Sequence, residues 1–271
     1  MTKFDSWDSY FADNPRDPKI AEDRRVLRNL LGAADPSTLA EQERTITMRR
    51  VFQLERNPID GAFDFDHHRA IHRHIFKDVY EWAGEPRTVD MGKTHRLWPS
   101  ATLVQSAPGI YGAIAKDNYL REMEPEQITG RLAEHWGEVN VLHAFREGNT
   151  RSQRAFFSQL ADQAGYVLDG PYLEAHYRDF NVAREAAMIT GRSDEFAHFL
   201  QGAVHRKSDG GPAGGRPSGP APKNDPDLAK AKSLLAAGQG FRNPLDPRSA
   251  RTTTSPSQPQ PAPGRGAGLH R

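Results

Sequence analysis

Twelve consecutive residues, His143-Ala144-Phe145-Arg146-Glu147-Gly148-Asn149-Thr150-Arg151-Ser152-Gln153-Arg154, hold the residue types that a reaction at a nucleotide phosphate requires. Gly148 permits close approach of backbone to an anion. With a helix starting near Asn149, the first backbone N–H groups point out of its N-terminus, where the helix dipole also favours negative charge. Arg151 and Arg154 are three residues apart. On one helical face they can offer two guanidinium forks to successive phosphates. Glu147 is a hard oxygen ligand beside that anion site, where Mg²⁺ shared between carboxylate and phosphates would sit. His143 supplies an imidazole whose ordinary pKa near neutrality lets it take the proton of an attacking hydroxyl. A buried loop histidine is the plainer reading of His143 alone, but the neighbouring carboxylate, amide and arginines favour chemistry.

The flanking periodicity says which elements must hold these residues. A helix over 125–142 places Ile128, Leu132, Trp136, Val139 and Leu142 on one face, making it the central buried helix that delivers the chain to His143. A second helix runs over 149–164, with Phe156, Phe157 and Leu160 inward and Gly165 at its end. Upstream, helices are expected over 22–31 (Val26, Leu27, Leu30 and Leu31, stopped by Gly32) and from Pro36 to about residue 54. The latter is capped by Ser37 or Thr38 and carries a stripe of Leu39, Ile46 and Val51. Residues 66–82 repeat the pattern through Ile71, Ile75, Val79 and Trp82. A β-prone run at 87–91, a turn at 92–95 and a return at 96–98 predict a hairpin. Helix resumes over 100–120, kinked or divided by Pro108, and two more helices are expected over 172–188 and 193–204. The fold class is therefore all-α, about eight helices with one small hairpin.

Composition separates residues 1–204, a folded domain, from residues 205–271, a Gly-, Pro- and Ser-rich basic tail with Phe241 as its only aromatic. Such a tail cannot bury enough apolar surface to offset its ordering entropy and is read as disordered. Within it, residues 226–237 carry a helical pattern too short to be stable alone. The formal charge of the 271 residues is only +1 because the basic tail offsets a slightly acidic domain. A solvated tail is the favoured reading over nucleic-acid or membrane contact. With no cysteine, disulfides, thiol nucleophiles and thiolate metal sites are excluded. Neither a signal-peptide pattern nor an apolar run of membrane-spanning length occurs, so a cytoplasmic protein is expected, a secreted effector being the other reading.

The twelve residues closely resemble the Fic motif: His, any, Phe, any, Asp or Glu, Gly, Asn, Gly or Lys, Arg, any, any, Arg. His143, Phe145, Glu147, Gly148, Asn149, Arg151 and Arg154 match. Thr150 departs, standing where adenylylating members usually carry Gly and the Doc kinase branch carries Lys. The resemblance covers roughly residues 7–200, with the core over about 60–190. It includes His72, Phe76, Val79, Tyr80, Trp82 and Arg87 ahead of the hairpin, which corresponds to the family's flap. The resemblance implies a Fic fold and transfer of AMP from ATP to a Tyr, Ser or Thr hydroxyl of a target protein. His143 would be the general base, Phe145 a buried anchor and Glu147 the Mg²⁺ ligand. Gly148, Asn149 and Thr150 would form the anion hole, with Arg151 and Arg154 on the remaining phosphates. The flap, with Met91, Gly92, Lys93 and Thr94, would dock the target as an added strand. Thr150 leaves a Doc-like kinase or transfer of another group as the rival activity, and an idle binding module as the rival from outside enzymes.

Self-restraining Fic proteins carry Ser or Thr, three residues, Glu, then Gly or Asn, and that Glu pairs with the second motif arginine. The nearest approach here, residues 37–42, ends in Gln and reads better as the start of a helix. The resemblance therefore implies a separate antitoxin whose helix contacts Arg154, and a toxin–antitoxin role. His67, His68, His72 and His74 suggest a metal site by spacing, but structural hydrogen bonding is the favoured reading because no carboxylate motif completes a zinc set. Trp82 and Trp98 read as supports of the hairpin.

Overall fold

Trp136 explains why the middle of the chain folds as it does. It is fully buried on α4 (Pro125–Leu142), stacked on Phe157 at 4.8 Å and edge-on to Phe180 and Phe196 at 5.3 and 5.4 Å. Burying about 200 Å² of indole is worth roughly 5 kcal/mol. Ile128, Leu132 and Val139 share its face at 1% exposure or less, so α4 is the central helix, packed against α5 (Asn149–Gln163), α7 (Tyr177–Thr190), α8 (Asp194–Gln201) and α3 (Leu103–Lys116).

The protein's computed structural model describes residues 8–11, 25–93 and 96–207. The expected tail disorder, the helical pattern at 226–237 and the flap residue Thr94 lie outside them. The remaining elements are α1 (Pro36–Arg56), α2 (Phe65–Phe76), α6 (Gly170–Ala175) and four short strands. Strands β1 (Met91–Lys93) and β2 (Arg96–Trp98) pair antiparallel with Met91 opposite Trp98, and β3 (Tyr166–Leu168) pairs antiparallel with β4 (Val204–Arg206). Among the described residues the fold is thus mostly helical, with eight α-helices.

Several expectations are corrected. Residues 25–31 are not helical: Leu27 bridges Phe11, and the N–H groups of Arg28 and Leu30 donate to Tyr10 and Val79 carbonyls at 2.7 and 2.8 Å. The Asn29 side chain takes the N–H groups of Leu31 and Ala33, an alternative that Asn offers the backbone against helix. Val26 is buried while Leu30 is 58% exposed, so their apparent helical stripe does not exist. Helix α1 is capped by Asp35, whose carboxylate accepts from Thr38 N–H at 2.9 Å and from Ser37 Oγ, rather than by Ser37 or Thr38. Its buried positions are Leu39, Glu43, Thr47 and Leu54, with Ile46 and Val51 only partly covered.

Helix α2 stops at Phe76, short of residue 82. Val79 and Tyr80 both donate to the Phe76 carbonyl at 2.9 Å, closing a turn that lays Tyr80 flat on Trp82 at 4.3 Å between ring centres. Trp82 is 2% exposed and supports the core there. Residues 87–90 are not strand; the hairpin begins at Met91. Helix α3 runs through Pro108 undivided. The carbonyl that proline leaves without a helical donor is that of Val104, a 61% exposed residue, where water can replace the bond. The two helices expected after residue 171 are three, and residues 204–206 are strand. Asp169 N–H to Ala203 O (2.8 Å) and Lys207 N–H to Gly165 O (3.0 Å) close that second ladder at both ends.

Candidate active site

Helix α4 ends where the chemistry begins. His143 caps it in the left-handed region (φ 45°, ψ 58°), its N–H donating to Val139 O at 3.3 Å. This conformation is costly outside glycine and turns the chain sharply out of the helix. It is held from the other side by Arg87, buried at 3% exposure. Arg87 Nε donates to His143 O at 2.8 Å, Nη1 to Val89 O at 2.7 Å, and Nη2 to Pro99 O and Leu142 O at 3.2 and 3.4 Å. A cation on the last carbonyls of a helix is well placed against its dipole. Because Val89 precedes β1 and Pro99 follows β2, the same guanidinium ties both feet of the hairpin to the His143 loop.

The loop is locked from within by Asn149. Phe145 N–H donates to Asn149 Oδ1 at 2.9 Å and Asn149 Nδ2 donates back to Phe145 O at 2.6 Å. Phe145 is fully buried, face to face with His72 at 3.8 Å. His72 Nε2–H donates to Glu147 O at 2.9 Å while its Nδ1 accepts Gly84 N–H at 2.9 Å, a pair of bonds that fixes the neutral tautomer. Burial pushes the His72 pKa down to about 3, with the nearby Arg151 charge acting in the same direction. His68 is likewise enclosed and lowered by burial, bonded to Tyr111 Oη at 2.6 Å and Ser152 Oγ at 3.0 Å. His67 bonds Phe63 N–H and Ile59 O. These imidazoles are hydrogen-bonded structure. Among the described residues no group of three or more His, Asp or Glu side chains is arranged to hold a metal.

Gly148 is the N-cap of α5 at φ +81°, and a Cβ there would lie 2.2 Å from Phe76 Cζ, so both conformation and space demand glycine. Its N–H donates to Glu147 Oε1 at 2.8 Å. By helix geometry the N–H groups of Asn149, Thr150 and Arg151 have no acceptor within α5, which makes that end an anion cradle. The expected side chains divide around it. Arg151 turns back to α1, with Nη2 on Glu43 and, at 3.3 Å, on Glu147 Oε1, and Nη1 on Thr47 Oγ1 at 3.1 Å. Burial opposes its charge, but Glu43 and Glu147 outweigh that and raise its pKa. Tyr80 Oη also donates to Glu43, and burial and the adjacent Glu43 carboxylate push the phenol above its ordinary range. Arg154 leans to α6, with Nη1 at 3.4 Å from Glu174 Oε2. The two arginines therefore do not present parallel forks. The Thr150 hydroxyl accepts from Arg184 Nη2 on α7 at 3.2 Å. Glu147, 44% exposed in its side chain, is the more open of the two carboxylates on Arg151 and stands beside the cradle, a donor that Mg²⁺ uses when substrate phosphates complete its shell.

Comparison with known proteins places this geometry. The profile of the Fic/DOC family matches residues 62–161, which span α2 to α5 and the whole motif. The protein named "Probable protein adenylyltransferase Fic" of Salmonella typhimurium is 36% identical over 155 residues, 56% of this chain and 76% of that one. The chain belongs to the Fic/DOC family. "Protein adenylyltransferase VbhT" of Bartonella schoenbuchensis is 39% identical over 163 residues, 60% of this chain but only 34% of that longer protein. Among solved structures, the N-terminal Fic domain of a VirB-translocated Bep effector of Bartonella quintana, with bound ADP, superposes with a TM-score of 0.65. At 22% identity, over 73% of this chain and 95% of that one, it speaks to the fold.

Within this Fic domain, the motif residues His143, Phe145, Glu147, Gly148, Asn149, Thr150, Arg151 and Arg154 meet at the α4–α5 junction. Met91, Gly92 and Lys93 form the first strand of the hairpin. Sequence reading overlooked Glu43 and Thr47 on α1, Glu174 on α6 and Arg184 on α7, and gave Arg87 no individual role. One signal was present: Leu39, Glu43 and Thr47 recur every four residues, which sets a carboxylate on the buried stripe of α1. Arg184 gave no comparable signal, because its acceptors come from four separate positions, Asn140, Thr150, Gln153 and Asn181.

Proposed function

We propose that this chain is a protein adenylyltransferase that moves AMP from ATP to a Tyr, Ser or Thr hydroxyl of a target protein paired to the β1–β2 hairpin. The observation that carries the reading is the α4–α5 junction. There, a histidine forms the left-handed cap that ends one helix, the next helix opens shortly after it at Gly148, and a carboxylate lies between them in the chain. Support comes from relatives named protein adenylyltransferases and a Fic neighbour with bound ADP.

In this reaction the target hydroxyl oxygen forms a bond to the α-phosphorus as the bond from that phosphorus to the bridging oxygen breaks, and the electron pair leaves with pyrophosphate. His143 takes the hydroxyl proton, and Arg87 fixes where that imidazole starts by holding its carbonyl. The N–H groups at the start of α5 bind α- and β-phosphate oxygens, Arg154 meets the terminal phosphate, and Arg151 contributes its charge from a position fixed by Glu43. Glu147 would hold Mg²⁺, which neutralises charge on the phosphates. Phe145 anchors the loop and Met91, Gly92, Lys93 and Thr94 dock the target.

Restraint is assigned to a separate antitoxin helix directed at Arg154. Two features support this. Glu41, in the segment nearest the self-restraint pattern, is exposed at the start of α1, and the partly exposed Arg154–Glu174 contact is worth at most about 1 kcal/mol, leaving Arg154 open to a stronger anion. Among the described residues no helix is long and apolar enough to cross a membrane.

The decisive experiment incubates the purified chain and its His143→Ala variant with bacterial lysate, Mg²⁺ and ATP labelled at the α or the γ position. Transfer of α-label alone, lost in the variant, is expected. Transfer of γ-label would make the chain a kinase, and label that survives His143→Ala would exclude this mechanism.

A further inference from the structure

Position 150 is the second residue of α5, where the motif usually has glycine and where a side chain threatens to crowd a bound phosphate. The side chain is not loose. Arg184 Nη2 donates to its hydroxyl at 3.2 Å, and the same guanidinium donates to Asn140 Oδ1 at 2.6 Å, Gln153 Oε1 at 3.2 Å and Asn181 Oδ1 at 3.1 Å. Each acceptor is itself fixed or enclosed. Gln153 Oε1 also takes Trp136 Nε1–H at 3.2 Å, Asn181 Nδ2 donates to Tyr177 O at 2.8 Å, and Asn140 is 2% exposed. Arg184 is 3% exposed, with its guanidinium 5.6 Å from the centre of the Phe180 ring. It is a buried cation bonded to neutral oxygens, anchored at three points on α4, α5 and α7 besides Thr150. A planar fork held this way has almost no freedom to follow its acceptor, so the acceptor must come to it.

We infer that Arg184 is a positioning residue that draws the Thr150 hydroxyl toward α7 and away from the anion cradle, so that the α5 N-terminus admits a nucleotide phosphate despite the added side chain. Thr150 and Arg184 then act as one unit. The residue that departs from the motif is accommodated by a second residue 34 positions away. The inference rests on the proposed use of that cradle for ATP. It is independent of which phosphorus is attacked, because it concerns entry and fit of the phosphates.

A double-mutant cycle on ATP affinity, measured by calorimetry on the full chain with Mg²⁺ present, tests it. Arg184→Gln in the Thr150 background is expected to weaken ATP binding about tenfold, the scale of one charge-assisted hydrogen bond, whereas in a Thr150→Gly background the same change leaves the Kd of Thr150→Gly alone. Equal weakening in both backgrounds, or none in either, overturns the inference. Because Arg184 is deep in the core and its variants can fail to fold, a second pair leaves it untouched. Thr150→Val, which keeps the width and removes the acceptor, should bind ATP about tenfold more weakly than Thr150→Ser, which keeps it. Equal affinities of that pair also overturn it. If wild-type chain binds ATP with the expected coupling but transfers no α-label, the adenylyltransferase reading fails and the Thr150–Arg184 unit stands.

Discussion

Replacing Arg87 by Lys tests whether one buried guanidinium sets the hairpin in register with the catalytic loop. Arg87 reaches four carbonyls, those of Val89 and His143 at 2.7 and 2.8 Å and those of Pro99 and Leu142 at 3.2 and 3.4 Å. It remains charged although burial pushes its pKa down, with Asp90 acting against that shift. An ammonium on a single stem can keep the contacts on one side only, so at least one of the two short bonds is lost. At about 1.5–3 kcal/mol per bond to a charged group, Arg87→Lys should cost about 2–4 kcal/mol of stability, and Arg87→Met, which orphans all four carbonyls, more. Against a typical 5–15 kcal/mol, the Lys variant still folds. Urea denaturation measures the loss. In the folded Lys variant, ATP affinity by calorimetry should change little, because the four carbonyls that Arg87 holds belong to the end of α4 and the feet of the hairpin, whereas the cradle is built from α5 N–H groups. Labelling of lysate protein should fall on the order of tenfold to a hundredfold, as small misplacements of reacting groups do. Full stability with full labelling refutes the reasoning, and so does a loss of ATP binding as large as the loss of labelling.

Glu43→Gln removes the buried carboxylate that balances Arg151, and unfolding measurements should show a loss of about 3–5 kcal/mol, the scale of breaking a buried ion pair from one side. Labelling by the surviving folded protein should not rise; a rise would show that Glu43 is an internal restraint and remove the need for an antitoxin. Acid should destabilise the fold through its enclosed imidazoles. Burial depresses the folded-state pKa of His72 to about 3 and takes that of His68 well below its ordinary value, so both stay neutral while the unfolded chain protonates. Their contribution is complete above about pH 6.5 and drains away as pH falls toward the folded values, at up to about 1.4 kcal/mol per pH unit for each. A urea midpoint that does not change between pH 7 and pH 5 would contradict this.

The central elements were legible because they obey one local rule. Helix α4 runs between Pro125 and the His143 turn with its five apolar positions inward, and α5 begins after Gly148, as spacing and turn chemistry require. Reading failed where backbone groups find distant partners. Residues 25–31 carry a helical stripe in sequence, but the N–H groups of Arg28 and Leu30 go to Tyr10 and Val79, and β3–β4 joins strands nearly forty residues apart, each only three residues long. The hairpin was found but started four residues early, since Arg87, in β-prone sequence, gives its backbone N–H to Ala144 O and its Nε to His143 O, both carbonyls of the catalytic loop.

The same division runs through the site. By itself the sequence determined the inventory: a base, a carboxylate, a glycine at a helix start and two arginines within twelve residues, because chemistry at a phosphate demands those types in nearly contiguous order. Only the tertiary structure decided how each is used. It turned Arg151 toward Glu43, spent the Asn149 amide on Phe145, tied His143 to the hairpin through Arg87 and drew Thr150 to Arg184. Every one of those choices is made by a side chain meeting a partner across a helix interface or a loop, a distance in space that linear spacing does not encode.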